Sequence, residues 1–202
     1  MGKLLIVNGS PRAPKSNSAQ YAQIFRACWA DEIDVYCVTE KRHSAICATL
    51  ENCDDLLFVF PLYADGLPVT LMHFLKEVEA HLPKRRPRVH VLINCGFLEP
   101  VQNEVAVACI RLFCEQNGFP FGSVLCIGAG EAILNTPFRF LVERKIKKLS
   151  QQIKTGKHKY QSVTMPLPKR IFIRASASYW ISYGQKYAVS RKQMETMKIE
   201  GK

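Results

Sequence analysis

The sequence predicts an α/β fold: an open, doubly wound sheet of five parallel strands in the order 2-1-3-4-5, followed by a basic helical extension. Three observations carry this. Short, mostly apolar runs alternate along the chain with longer segments whose apolar residues recur every three or four positions. The runs are continuously apolar, as in parallel strands buried on both faces. Unusual loop residues cluster after the first, third and fourth runs, where such sheets place their ligands.

Leu4–Val7 is the first strand, and a Gly-Ser-Pro-Arg turn follows it. The helix after this turn puts Tyr21, Ile24, Phe25, Cys28 and Trp29 on one stripe, and Asn17 with Gln20 has capping-box spacing, so the helix is expected to begin there. Ile33–Val38 is the second strand, and one short helix is expected around Ala45–Asn52. Leu56–Phe60 is the third strand, stopped by Pro61, and Leu67–Leu82 is a helix with Pro68 in its first turn. Val89–Ile93 is the fourth strand, and the helix Val101–Asn117 ends at Gly118. Val124–Ile127 is the fifth, and Pro137–Lys154 is a long amphipathic helix with lysines toward its C-terminal end.

The expected domain spans residues 1–155. Residues 156–202 form the extension, with Gly156–Pro168 as a linker and Pro168–Met194 as a helix, packed on the domain or on a partner subunit. All of the excess positive charge belongs to the last third of the chain. Residues 144–202 hold 15 Lys and Arg against 2 Asp and Glu, whereas residues 1–143 hold 13 against 15. With 48% hydrophobic and 22% charged residues, the composition is that of a soluble globular protein. No apolar run approaches the roughly 18–20 residues that span a bilayer. Met1-Gly2-Lys3 leads into only four apolar residues, which is not a signal-peptide layout, so a cytoplasmic address is expected. The eight cysteines contain no CxxC pair and no metal site is expected; Cys28, Cys37, Cys95, Cys109 and Cys126 sit in apolar patterns and read as small core hydrophobes. His73, His81 and His90 read as packing or surface residues.

The loop after the first strand offers Ser10, Ser16 and Ser18 hydroxyls, the Arg12 fork and the amides near Asn17 and Ser18 at a helix start, a donor set suited to a phosphate dianion. Its glycines match neither the dinucleotide fingerprint nor the Walker loop, which favours a mononucleotide. After the third strand, Pro61-Leu62-Tyr63-Ala64-Asp65-Gly66-Leu67-Pro68 holds a fixed backbone path with an aromatic and a carboxylate, suited to a planar heterocycle. After the fourth, Asn94-Cys95-Gly96-Phe97 lets the backbone approach a ligand at Gly96. Glu131, following Gly128-Ala129-Gly130, reads as a solvated loop carboxylate that could border the same ligand.

These three segments, NGSPRxxxSNS, FPLYADGLP and NCGFLEP, resemble those of the flavodoxin-like NAD(P)H-dependent FMN reductase and quinone reductase superfamily, over about residues 3–154. The resemblance implies non-covalent FMN, with NADPH or NADH as electron donor and a small-molecule acceptor. On matching positions, Ser10, Arg12, Ser16, Asn17 and Ser18 would surround the phosphate. Pro61, Leu62, Tyr63, Ala64 and Asp65 would flank the flavin ring, and Asn94, Cys95, Gly96 and Phe97 would approach its pyrimidine side. The compact cysteine cluster of related iron–sulfur flavoproteins is missing: Cys37, Cys47 and Cys53 are spaced too widely. Relatives often pair, so a homodimer is expected. No catalytic acid, base or nucleophile is assigned, because the chemistry would be the cofactor's. Two other readings stand beside this one: a flavin-binding electron carrier reduced by a protein partner, and a binder of anionic polymers or surfaces through the extension.

Overall fold

The computed structural model describes residues 2–196. The chain divides into two units, Met1–Met165 and Pro166–Lys202. In the first, β1 (Leu4–Asn8), β2 (Ile33–Cys37), β3 (Asp55–Pro61), β4 (Arg88–Asn94), β5 (Phe121–Ile127) and β6 (Tyr160–Val163) form one parallel sheet in the order β2-β1-β3-β4-β5-β6.

The sixth strand corrects the expected five. β6 pairs with β5 from Val124↔Tyr160 to Ile127↔Val163, inside the stretch that reads as a linker. Its inward positions are Gln161 and Val163, and Gln161 is accommodated because its Nε2 donates to Gln152 Oε1 at 2.7 Å. Four residues flanked by lysines and prolines, with a glutamine facing inward, leave no apolar run to detect.

Helices α1 (Asn17–Ala27) and α5 (Arg139–Thr155) pack together, with Ser150 Oγ donating to the Cys28 carbonyl at 3.0 Å and Lys154 paired with Asp31 at 3.1 Å. Helices α2 (His43–Cys47), α3 (Val69–Ala80) and α4 (Glu104–Asn117) contribute Cys47, Phe74 and Ile110 to one core cluster with Val7, Phe58, Phe60, Val91 and Ile93. The alternate strand residues Leu4, Ile6, Leu57 and Val59 are equally buried. Both faces are therefore covered, which explains the unbroken apolar runs.

Cysteine burial differs from expectation. Cys109 is exposed, Cys28 and Cys37 are half-buried, and Cys47, Cys53 and Cys114 are buried with Cys95 and Cys126. On α4 the inward stripe is Ala106, Val107, Ile110 and Cys114, and Cys109 falls off it. His90 is a packed residue. It is fully buried, its Nδ1 accepts from Ser123 N–H at 2.9 Å and its Nε2 lies 3.0 Å from Asp55 Oδ1.

The second unit contains α6 (Lys169–Gln185) and α7 (Arg191–Met194) in place of one expected helix. The chain breaks where Ala188 takes a left-handed φ of 58° and Val189 N–H donates back to the Gly184 carbonyl at 3.0 Å. Ser190 then caps α7 by accepting from Gln193 N–H. The last six residues of the extension lie outside the described residues.

Candidate functional site

All six parallel strands present their carboxyl ends at one rim, with β1 at the point where strand order reverses. β1 ends on Asn8, whose Oδ1 accepts from the Ser10 N–H at 3.1 Å. At Gly9 the backbone runs so close to β3 and α3 that a Cβ would sit 3.0 Å from Leu71 and 3.1 Å from Phe60. Ser10 is buried, and its hydroxyl accepts from Arg12 N–H at 3.3 Å. The N-cap of α1 is Ser16, not the expected Asn17; its Oγ accepts from Ala19 N–H at 3.1 Å, while Asn17 Oδ1 accepts from the Gln20 side chain. The Asn17 and Ser18 N–H groups thus open the helix without intrahelical acceptors. No acidic residue lies in that first turn, and Arg12 is exposed beside it. Helix dipole, amides and guanidinium all favour an anion.

β4 ends on Asn94, which ties this loop to the next two. It is 3% exposed, and its Nδ2 donates to Ser18 Oγ at 3.1 Å and to the Phe60 carbonyl at 3.2 Å. Its own carbonyl accepts from Leu62 N–H at 2.7 Å. Beyond Leu62 the chain closes a two-residue hairpin in which Tyr63 and Gly66 exchange backbone hydrogen bonds at 3.1 and 3.0 Å. Both central residues, Ala64 and Asp65, hold positive φ (46° and 57°) without being glycine. That conformation costs roughly 1–2 kcal/mol per residue. The strain projects Tyr63, half-exposed, at the rim.

The β5 loop braces the third loop from behind. Gly130 N–H donates to the Cys95 carbonyl at 2.7 Å, Tyr21 donates its hydroxyl proton to the Gly130 carbonyl at 2.7 Å, and a Cβ on Gly130 would sit 2.8 Å from Asn94 Cβ. The Cys95 thiol turns inward, accepting from Asn103 Nδ2 at 3.4 Å, and burial pushes its pKa up. Only the backbone of this residue is available to a ligand.

Ser10, Arg12, Ser16, Asn17 and Ser18 from the first loop line one hollow of about 50 Å³. Pro61, Leu62 and Tyr63 from the second and Asn94, Cys95 and Gly96 from the third complete it. Ala64, Asp65 and Phe97 are exposed and do not line it. Glu131, read from the sequence as a solvated carboxylate, joins the lining: a Cβ on Gly96 would lie 3.6 Å from its Cδ. The signal for it was its place directly after the Gly-Ala-Gly turn at the same sheet edge. A larger groove, about 810 Å³, runs between α1 and α5 and is lined by Gln20, Ile24, Phe140, Arg144 and Lys147 among others. It is open, and apart from the sheet edge none of the three loops reaches it.

The fold is flavodoxin-like. Comparison with family models finds no match, and neither does a sequence comparison with curated proteins. Solved structures share the architecture. An NAD(P)H:quinone oxidoreductase from Methanothermobacter marburgensis matches 76% of this chain and 98% of its own at 12% identity, with a TM-score of 0.59. An FMN-dependent NADH-azoreductase from Bacillus anthracis, in complex with FMN, matches 76% of this chain and 99% of its own at 13% identity and a TM-score of 0.56. An NADPH-quinone reductase from P. pentosaceus matches 76% and 97% at 14% identity and a TM-score of 0.55. At these identities the likeness is one of fold, and the site must be argued from this chain's own residues.

Proposed function

We infer that this protein binds FMN at the rim of the sheet and transfers electrons from NADPH or NADH to a small-molecule acceptor. The observation that carries this reading is the convergence of the three loops on one hollow, with a helix N-terminus and a cluster of serine, asparagine and arginine donors on one side. The residues fit the group. The donor set around Ser10, Arg12 and the start of α1 is hydroxyl, amide and guanidinium, free of acid in the first helical turn, as a phosphate dianion requires. The hollow would take the phosphate end, and a flat ring would extend from it onto the open rim beside Tyr63 and the exposed backbone at Gly96.

When bound, FMN supplies the redox chemistry, accepting hydride from a nicotinamide and passing electrons on. The protein's contribution is placement. Leu62 and Asn94 fix the second and third loops to each other, and Asn94 fixes both to the phosphate-binding helix. Glu131 offers a hydrogen-bond acceptor toward the ring edge at Gly96. A homodimer belongs to the same reading, in keeping with the family the motifs resemble.

The test is an absorption spectrum of the FMN-loaded protein before and after anaerobic NADPH or NADH. Flavin bands that bleach with either nucleotide support the reading. Flavin that bleaches only with dithionite identifies an electron carrier served by a protein partner, and a protein that takes up no FMN overturns the site.

A further inference from the structure

We propose that Glu131 lowers the reduction potential of the bound flavin and that Tyr21 positions it, an inference that rests on the assignment of the rim to FMN. Among the described residues that line the hollow, Glu131 is the one carboxylate and Arg12 the one cation, and they come from different loops. The Glu131 carboxylate lies against the third loop: a Cβ on Gly96 would be 3.6 Å from its Cδ and 3.7 Å from its Oε2. A flavin has two unlike edges. The dimethylbenzene edge is apolar, and the pyrimidine edge carries carbonyls and an imide N–H. The Gly96 backbone and Glu131 form the polar part of the rim, whereas Leu62 and Tyr63 supply its apolar surface. Matching polar to polar brings the pyrimidine edge to Glu131, whose oxygens can accept from the imide. Two-electron reduction adds negative charge to that same edge. A carboxylate held there opposes the added charge, so the oxidised form is bound in preference and the reduced form becomes a stronger electron donor.

An exposed side chain exerts a steady field only when its backbone is fixed, and this backbone is. Ala129 holds a left-handed φ of 52° and donates its N–H to the Phe97 carbonyl, and Gly130 N–H donates to the Cys95 carbonyl at 2.7 Å. Gly130 cannot shift toward β4, because its α-carbon already packs on Asn94. The last restraint comes from α1. Tyr21 is fully buried on that helix, and its hydroxyl donates to the Gly130 carbonyl at 2.7 Å, directly before Glu131. The same helix opens on the Asn17 and Ser18 amides, so one rigid element registers the carboxylate to the anion-binding end of the hollow.

The test is the ratio of the dissociation constants for reduced and oxidised FMN. It is read from a fluorescence titration with oxidised FMN and from the potential of the loaded full chain equilibrated with a redox dye. Glu131→Gln keeps the size and an acceptor oxygen but removes the charge; it should lower the ratio about tenfold, a rise of about 30 mV for a two-electron couple. Glu131→Asp keeps the charge and should stay within about threefold of the native protein. Glu115→Gln, an exposed position on α4 away from the hollow, should leave the ratio unchanged. Tyr21→Phe should lower it about threefold in the native background and no further in Glu131→Gln, because its effect runs through the carboxylate. An unchanged ratio in Glu131→Gln, or an equal change in Glu115→Gln, would overturn the proposal while leaving FMN at the rim. Additive effects of the Tyr21 and Glu131 substitutions would overturn the positioning role of Tyr21. A native protein that takes up no FMN would overturn the assignment of the rim, and this inference with it.

Discussion

Replacing Asn94 by alanine should damage both the stability of the protein and its hold on FMN, because this one amide joins three loops. The substitution keeps the Cβ against which Gly130 packs, so the backbone there is not disturbed. It removes the donor to Ser18 Oγ and to the Phe60 carbonyl, in a position only 3% exposed. The Ser18 hydroxyl can turn to another partner, and the Phe60 carbonyl keeps the Asn94 backbone N–H of the β3–β4 ladder, so what is lost is the pair of side-chain bonds. Each lost bond costs about 1 kcal/mol, giving a loss of about 2 kcal/mol for the two. Urea unfolding followed by circular dichroism reads the stability. Because the start of α1 is no longer tied to the third loop, FMN affinity should fall about tenfold, or about 1.4 kcal/mol, read by quenching of flavin fluorescence. A double-mutant cycle with Ser18→Ala isolates the contact, and a coupling of about 1 kcal/mol is expected. A stability loss below about 0.5 kcal/mol with unchanged FMN affinity would refute the idea that Asn94 organises the rim.

Three further predictions address other parts of the molecule. Arg12→Gln should weaken FMN about tenfold and leave riboflavin unaffected, since the guanidinium is assigned to the phosphate; equal losses for both ligands in a fluorescence titration would show it acts elsewhere. A thiol reagent should modify exposed Cys109 first in the native protein. Burial holds the thiols of Cys47 and Cys126 up at about 11 and that of Cys114 at about 12, so these should react only on unfolding, and their early labelling would contradict the packing. Burial also lowers the His90 pKa, outweighing the opposing hydrogen bond and charge of Asp55. The unfolded chain then binds the proton more readily than the folded one, so the stability due to His90 is present above about pH 6.5 and is lost as pH falls below it. Unfolding midpoints between about pH 7.5 and 5.5 should decline in the native protein and decline less in His90→Gln, whereas equal declines would place the effect elsewhere.

The sheet and the donor-rich loop after β1 were legible because their signals are local. Leu4–Asn8 running into Gly9 and Ser10 gives strand, turn and donor set within a few residues, and the order of the first five strands follows from the βα alternation. What escaped depends on partners distant in sequence. β6 is a strand because β5 offers it an edge and Gln152 satisfies Gln161, and neither fact is written in residues 160–163. The extension reads as one helix because its aromatic spacing continues through Tyr187, and the break shows only in the left-handed Ala188 and the Ser190–Gln193 capping box that follows it. The Tyr63–Gly66 hairpin was hidden for a related reason: its turn carries Ala-Asp where such a turn ordinarily signals itself by Asn-Gly. Glu131 reaches the hollow from a fourth loop, held there by the Gly130–Cys95 hydrogen bond.

The most direct measurement is a crystal structure of the protein grown with FMN. The phosphate should lie against the start of α1, contacted by Ser10, Arg12 and the amides of Asn17 and Ser18, with the ring spanning Tyr63 and Gly96. Flavin density in the wider α1–α5 groove, or a phosphate away from that helix end, would contradict the assignment of the rim as the working site.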